Sequence, residues 1–84
     1  MILTARFENA LSYASALHRS QLRKGTTIPY VSHLLAVCSL VISYDGDEDQ
    51  AIAALLHDAA EDQGGEPTLN AIRQRFGEGV AGIV

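Results

Sequence analysis

Four ionisable side chains follow an apolar run in the second half of the chain: His57, Asp58, Glu61 and Asp62. Residues three and four positions apart are neighbours on a helix, so Glu61 would lie beside both His57 and Asp58. Asp62 would likewise lie beside Asp58. Three carboxylates this close repel one another unless a cation or added protons neutralise them. The cluster therefore favours a metal site over a solvated helix face.

The apolar run before this cluster predicts a helix from Ala51 to Asp62. Its large apolar residues and one alanine recur at helical spacing, namely Ile52, Leu55, Leu56 and Ala59. We therefore expect the polar cluster at the edge of a buried helix. The acidic turn from Asp45 to Asp49 suits the N-terminus of this helix and lacks the regular ligand spacing of a calcium loop.

The first part of the chain predicts a helix from Thr4 to about Lys24, with Thr4 or a neighbour as N-cap and Gly25 as its end. Its apolar positions are Phe7, Ala10, Leu11, Ala14 and Leu17. Its last turns carry basic and imidazole side chains, which are His18, Arg19, Arg23 and Lys24. These side chains can complement the negative end of the helix dipole or bind a phosphate, and the sequence leaves both readings open.

Pro29 suits the first turn of a second helix that runs to about Tyr44. We expect its buried apolar face to consist of His33, Val37, Leu40, Val41 and Tyr44. A histidine on an apolar face is more often a satisfied core residue than a ligand. The ionisable cluster at His57 keeps metal ligation by His33 open as well.

Thr68 is the expected N-cap of a fourth helix that ends at Gly77. Its inward residues are Leu69, Ile72 and Phe76. Residues 79–84 predict the opening of a fifth helix with apolar Val80, Ile83 and Val84, and nothing caps this segment, so we expect it to continue. The sequence thus predicts an all-α fold of four helices and the start of a fifth.

Composition limits the class of protein. The 84 residues, 48% of them hydrophobic, predict one small domain. The single Cys38 cannot form an intrachain disulfide, and no long apolar run indicates a membrane span, so we expect a cytoplasmic protein with no membrane partner. A net charge of −4 argues against a nucleic acid polymer as the main partner, although a local basic cluster could hold a small phosphorylated ligand.

Several motifs, in this order, resemble the HD-domain metal-dependent phosphohydrolases. They are Pro29-Tyr-Val-Ser-His33, Ala54-Leu-Leu-His-Asp58 and Glu61-Asp62, preceded by His18-Arg-Ser-Gln-Leu-Arg-Lys-Gly25. Within that superfamily they look most like the hydrolase domains of RelA/SpoT-type enzymes and the small alarmone hydrolases. Those enzymes remove the 3′-pyrophosphate of (p)ppGpp, and the similarity extends from about residue 14 to residue 84.

The resemblance implies that His33, His57 and Asp58 are three of the family's four metal ligands. The fourth is an Asp on a later helix, and no candidate for it is present here. The resemblance therefore implies that residues 1–84 are the N-terminal part of an HD domain. Mixed imidazole and carboxylate ligation suits manganese, iron or zinc better than calcium, and the resemblance favours Mn²⁺ over Fe²⁺ or Zn²⁺.

The resemblance also implies roles for two further pairs of residues. Glu61 and Asp62 resemble the pair that orients the attacking water or takes its proton. Arg23 and Lys24 resemble residues that line the nucleotide site. Arg23 can meet a phosphate bidentately, and Lys24 can do so as a point charge.

The expected function is therefore hydrolysis of (p)ppGpp with release of pyrophosphate. One alternative is a phosphohydrolase that acts on a deoxynucleoside monophosphate or a cyclic nucleotide, and another is a non-catalytic signalling module. We expect the 84 residues alone to be inactive. Their apolar C-terminal face, if exposed, would favour self-association, so a homo-oligomer is a further expectation.

Overall fold

The computed structural model describes all residues from 1 to 84. It contains six helices: α1 Ala5–Leu17, α2 Val31–Ser43, α3 Glu48–Leu56, α4 Ala59–Asp62, α5 Gly65–Phe76 and α6 Glu78–Ile83. Extended pairing is limited to one isolated antiparallel bridge between Leu22 and Pro29. The predicted all-α class is confirmed.

Helix α3 is the centre of the domain and packs against α1, α2 and α6. All residues from 51 to 56 are buried, and the predicted inward residues Ile52, Leu55, Leu56 and Ala59 are fully so. Asp47, in the predicted acidic turn, is the N-cap of α3 and accepts a hydrogen bond from the backbone N–H of Gln50. The Gln50 side chain accepts from the Asp47 N–H in return, which completes a capping box.

Helix α1 begins as predicted but ends seven residues earlier than the expected Lys24. Thr4 is its N-cap and accepts a hydrogen bond from the Arg6 backbone N–H. The predicted end at about Lys24 is wrong, because the chain after His18 pairs with a later segment instead of continuing the helix. The backbone N–H of Tyr30 donates to the Gln21 carbonyl, and that of Arg23 donates to the Ile28 carbonyl, both at 2.8 Å.

We call residues 21–30 the α1–α2 ribbon. Gly25 lies in its turn with a φ of +74°, a conformation that glycine adopts at little cost. Arg23 and Lys24 therefore lie on this ribbon and not on the last turn of a helix, so they cannot complement the dipole of α1.

The buried face of α2 differs from the predicted one. Leu34 and Cys38 are buried against the core, whereas Leu40 and Tyr44 are 59% and 84% exposed. The prediction of Leu40 and Tyr44 as inward residues is wrong. The helix is apolar nearly all round, so periodicity alone could not tell which side faces α3.

The start of the helix that ends before Gly77 also differs from expectation. Helix α5 begins at Gly65, and Thr68 lies inside it, where its hydroxyl donates to the Gln63 carbonyl instead of capping the helix. Ile72 and Phe76 are buried as predicted. Val80 of α6 is fully buried in the same core.

Ile83 remains 55% exposed at the end of α6. It lines an apolar groove of about 410 Å³ together with Val37, Val41 and Tyr44. The predicted apolar C-terminal face is therefore exposed only in part. None of the six helices combines the length and apolarity that crossing a membrane requires.

Candidate metal centre

The predicted third helix is interrupted at the ionisable cluster. Helix α3 ends at Leu56 and α4 begins at Ala59, so His57 and Asp58 form a corner between them. Asp58 has a φ of −100° and a ψ of 1°, in the bridge region of backbone conformations that recurs in active sites. This corner directs two consecutive side chains to the same place, and the His57 Nε2 lies 2.9 Å from the Asp58 Oδ2.

Helix α2 brings His33 to the same corner. Its Nε2 lies 3.8 Å from the Asp58 Oδ2, and its ring centroid lies 5.5 Å from that of His57. One ligand atom from each of His33, His57 and Asp58 falls within 4.8 Å of the others. All three residues are partly buried, so the cluster remains accessible to solvent.

The hydrogen bond made by His57 determines which of its nitrogens can bind a metal. The Nδ1 of His57 lies 2.7 Å from the carbonyl oxygen of Ala54, which can only accept, so Nδ1 carries a proton. In a neutral imidazole the Nε2 then carries a lone pair, and this lone pair faces the Asp58 carboxylate. Two electron-rich atoms 2.9 Å apart need a cation, either a proton or a metal, to neutralise them.

Sequence reasoning missed Tyr30 as part of this cluster. Its hydroxyl donates a hydrogen bond to the Asp58 Oδ2. Partial burial and this hydrogen bond raise the pKa of Tyr30 well above its usual value, so the hydroxyl remains a donor at physiological pH. The available signal was the position of Tyr30, three residues before His33 at the start of the same helix.

Glu61 and Asp62 lie on the short helix α4, and both are exposed. The Asp62 Oδ2 accepts a hydrogen bond from the Gln21 side-chain amide at 3.3 Å. Glu61 makes neither a hydrogen bond nor an ion pair with another side chain, so it is free to turn toward the cluster or toward solvent. The Asp62 carboxylate is thus tied to the α1–α2 ribbon, whereas the Glu61 carboxylate has no polar side-chain partner.

Gln21 was also missed, together with the buried His18. The Gln21 Oε1 lies 2.7 Å from the Nδ1 of His18 and accepts from the Gln63 amide at 2.8 Å. Because its oxygen faces these two donors, the Gln21 amide nitrogen is directed at Asp62. His18 is 2% exposed and belongs to the interior. The available signal was its position four residues after the predicted apolar residue Ala14, which places both on one helix face.

Arg23 and Lys24 are exposed on the α1–α2 ribbon, and they reach the same side of the molecule as the cluster. With Thr26, Tyr30 and His33 they line a pocket of about 310 Å³. The pocket therefore joins two cationic side chains to one of the candidate metal ligands. A negatively charged group bound by Arg23 and Lys24 would lie beside His33.

A family model described as HD domain matches residues 10–84 of the chain. This match covers most of the sequence, including all of the side chains at the candidate metal centre. The chain belongs to the HD-domain family. Its fold agrees with a solved structure described as a metazoan ortholog of SpoT that hydrolyses ppGpp, with a TM-score of 0.86 and 34% identity.

Curated relatives of this HD domain carry related names. A guanosine-3′,5′-bis(diphosphate) 3′-pyrophosphohydrolase of Drosophila melanogaster is 38% identical over 96% of this chain and 46% of its own length. The enzyme of the same name from Aquifex aeolicus is 40% identical over 92% of this chain and 11% of its own length. A probable GTP pyrophosphokinase of Mycobacterium leprae is 39% identical over 92% of the chain. The chain spans less than half the length of each of these relatives, and 47% of the solved chain.

The donor set of this HD domain fits a divalent transition metal. Two imidazole nitrogens and one carboxylate oxygen suit manganese, iron or zinc, whereas calcium prefers oxygen ligands alone. The Nδ1–H of His57 is anchored on a backbone carbonyl, which is the usual support of a metal-bound histidine. The residues present therefore form a possible His/Asp metal site.

Proposed function

We propose that this HD domain belongs to a metal-dependent phosphohydrolase that removes the 3′-pyrophosphate of (p)ppGpp. One structural observation carries the proposal: the cluster of His33, His57 and Asp58 adjoins a pocket lined by Arg23 and Lys24. A metal site beside a cationic pocket suits a substrate with several phosphates. The names of the Drosophila and Aquifex relatives support ppGpp as that substrate.

We propose that His33, His57 and Asp58 hold the metal and that the metal is Mn²⁺, with Fe²⁺ or Zn²⁺ as alternatives. A divalent metal at such a site lowers the pKa of a coordinated water and neutralises charge on phosphate oxygens. His57 would use its Nε2, since its Nδ1 donates to the Ala54 carbonyl. Asp58 would use an oxygen lone pair that the Tyr30 hydroxyl leaves free.

We assign the water-directed role to Glu61 and Asp62, and the phosphate-binding role to Arg23 and Lys24. A carboxylate near the cluster can orient the attacking water or accept its proton. The exposed, unpaired Glu61 can turn to accept a proton, whereas Asp62 is held by the Gln21 amide and suits orientation. The guanidinium of Arg23 can bind one phosphate with two parallel hydrogen bonds.

The experiment is a substrate assay on the full-length protein loaded with Mn²⁺. Pyrophosphate release from ppGpp is compared with turnover of a deoxynucleoside monophosphate and of a cyclic nucleotide under the same conditions. We expect ppGpp to be the preferred substrate. Asp58→Asn should abolish this activity, while Asp45→Asn should preserve it, because Asp45 is exposed and its positive φ of 64° is tolerated by Asn.

If the protein prefers another nucleotide, the proposed metal chemistry would stand and the proposed substrate would be wrong. Absence of stoichiometric metal together with no turnover of any nucleotide would favour a non-catalytic signalling module. Activity that survives Asp58→Asn would contradict the proposed ligand set.

A further inference from the structure

Tyr30 contacts two of the three candidate metal ligands. Its hydroxyl donates to the Asp58 Oδ2, and its ring centroid lies 5.5 Å from that of His33. Tyr30 is the residue immediately before α2, with helical φ and ψ of −59° and −29°, so it lies one turn from His33 on the same side. The contact with Asp58 joins the start of α2 to the α3–α4 corner.

Asp58 has little other support for its orientation. It precedes α4 but makes no side-chain capping hydrogen bond with that helix. Its remaining polar neighbours are the Nε2 atoms of His33 and His57, the other two candidate ligands. Without Tyr30, the carboxylate would therefore be oriented only by groups that the metal itself must engage.

Tyr30 is in turn held from the opposite side. Its backbone N–H donates to the Gln21 carbonyl at 2.8 Å, within the α1–α2 ribbon. Its ring centroid lies 5.1 Å from that of the buried His18, whose Nδ1 is bonded to the Gln21 side chain. A backbone hydrogen bond and ring packing thus fix the position of the phenol ring. Its hydroxyl can therefore hold the Asp58 carboxylate in one orientation.

A carboxylate can accept a hydrogen bond and still bind a metal, because its two oxygens offer about four lone-pair sites. Hydrogen-bond partners of metal-binding carboxylates fix their rotamers and raise metal affinity. We propose that Tyr30 is a positioning residue whose hydroxyl orients the Asp58 carboxylate for metal binding. This inference rests on the proposed metal site, but not on the identity of the substrate.

The test measures binding of the manganese ion alone to the full-length protein. Tyr30→Phe removes the hydroxyl and keeps the ring between His18 and His33. Tyr13→Phe is the matched control, because the Tyr13 ring packs against Phe76 and Arg75 and its hydroxyl makes no hydrogen bond. We expect Tyr30→Phe to weaken Mn²⁺ binding by about 10- to 100-fold, and Tyr13→Phe to leave it unchanged.

Two further measurements separate orientation from folding. The thermal midpoint without metal shows whether Tyr30→Phe is folded, and the electron paramagnetic resonance spectrum of bound Mn²⁺ should change only in that variant. A crystal structure of the Mn²⁺-loaded wild-type protein provides a test that needs no variant. It should show the Tyr30 hydroxyl within hydrogen-bonding distance of Asp58.

Equal Mn²⁺ affinity and spectra in Tyr30→Phe and Tyr13→Phe would overturn the role of Tyr30 and leave the proposed function standing. The same follows if the loaded wild-type structure shows Tyr30 turned away from Asp58. Failure of the wild-type protein to bind Mn²⁺, Fe²⁺ or Zn²⁺ would overturn both the metal site and this inference. Mn²⁺ binding without turnover of ppGpp would instead count against the proposed substrate alone.

Discussion

His57 and Asp58 are consecutive in the chain, yet their side chains meet, with Nε2 and Oδ2 separated by 2.9 Å. Adjacent residues on a continuous α-helix point about 100° apart and do not face each other. The contact exists because α3 ends at Leu56 and Asp58 adopts a bridge conformation before α4 begins. An interruption of the helix, more than its periodicity, therefore assembles the candidate metal centre.

Replacement of His57 tests this corner directly. His57→Ala in the full-length protein removes one of three ligands, and we expect it to abolish Mn²⁺ retention and ppGpp turnover. Because the His57 side chain is 35% exposed, the free energy of unfolding should change little. Elemental analysis after dialysis measures the retained metal, and thermal unfolding checks the fold. Stoichiometric metal in this variant would remove His57 from the ligand set.

The ordered core around α3 could be predicted from the sequence. Leu55 and Leu56 are large apolar residues on the periodic apolar face of the predicted helix. Such residues are buried in the core whichever helices pack against them. The proximity of His33 to His57 and Asp58 was expected from the resemblance to the HD-domain phosphohydrolases, which implies that all three bind one metal. The interruption of the helix at residues 57–58 could not be predicted from the sequence, since every residue there is compatible with a helix. Only tertiary packing determines that the chain turns at this point.

The α1–α2 ribbon shows why other parts of the site were missed. Its pairing joins Gln21 to Tyr30, nine residues later, and local propensity carries no information about such a contact. The donors to Asp58 and Asp62 come from this ribbon. Pro29 and Tyr30 locally indicate only the start of a helix. The partner of the Tyr30 hydroxyl, Asp58, is 28 residues away, so local sequence could not predict this hydrogen bond.

The two α4 carboxylates should separate metal binding from catalysis. We expect Glu61→Ala to retain Mn²⁺ and to lower kcat by about 10²- to 10⁴-fold, the usual contribution of general acid–base catalysis. Asp62→Ala should also retain the metal. Glu66→Ala is the control, because Glu66 is an exposed carboxylate in the first turn of α5. Unchanged kcat in Glu61→Ala would exclude that residue from the mechanism.

Arg23 and Lys24 should act on substrate binding. Loss of one hydrogen bond to a charged group costs about 1.5–3 kcal/mol, so Arg23→Ala should raise the KM for ppGpp by about 10- to 100-fold. We expect Lys24→Ala to have a smaller effect, since an ammonium cannot bind bidentately. Steady-state kinetics of these variants are compared with Arg19→Ala, an exposed arginine outside this pocket. A KM unchanged in both variants would contradict the assignment.

Glu48 lies at the end of α3 opposite the candidate metal centre, and its ionisation should make the stability of the fold depend on pH. The backbone N–H and hydroxyl of Thr4 donate to its carboxylate, and with Arg6 they lower the pKa of Glu48 below its ordinary value of 4.5. A lowered native pKa stabilises the folded state above the unfolded pKa. This stabilisation is lost as the pH falls through the native value.

Glu48→Gln should therefore reduce the thermal midpoint at pH 7, and the difference from wild type should shrink as the pH falls below about 4.5. Glu8→Gln is the control, because Glu8 is exposed on α1 and makes no ion pair. Thermal unfolding followed by circular dichroism from pH 7 to pH 3 measures both. A difference that stays constant over this range would show that the contacts of Glu48 are not linked to its ionisation.

The last prediction concerns Mn²⁺ binding by the 84 residues alone. His33, His57 and Asp58 bring three ligand atoms together, and we propose that a fourth, a carboxylate, lies outside residues 1–84. The chain also spans less than half the length of its relatives. Each missing charged ligand weakens the hold on a divalent metal, so the 84-residue chain should bind Mn²⁺ weakly and release no pyrophosphate from ppGpp.

Equilibrium dialysis with elemental analysis measures the bound metal, and a pyrophosphate assay measures the activity, both alongside the full-length protein. Circular dichroism of the 84-residue chain must first show the helical content of α1 to α6, so that weak binding reports a missing ligand and not a missing fold. Stoichiometric Mn²⁺ and turnover equal to that of the full-length protein would contradict the fourth ligand. In that case three protein ligands and solvent complete the site, as they do in many catalytic zinc sites.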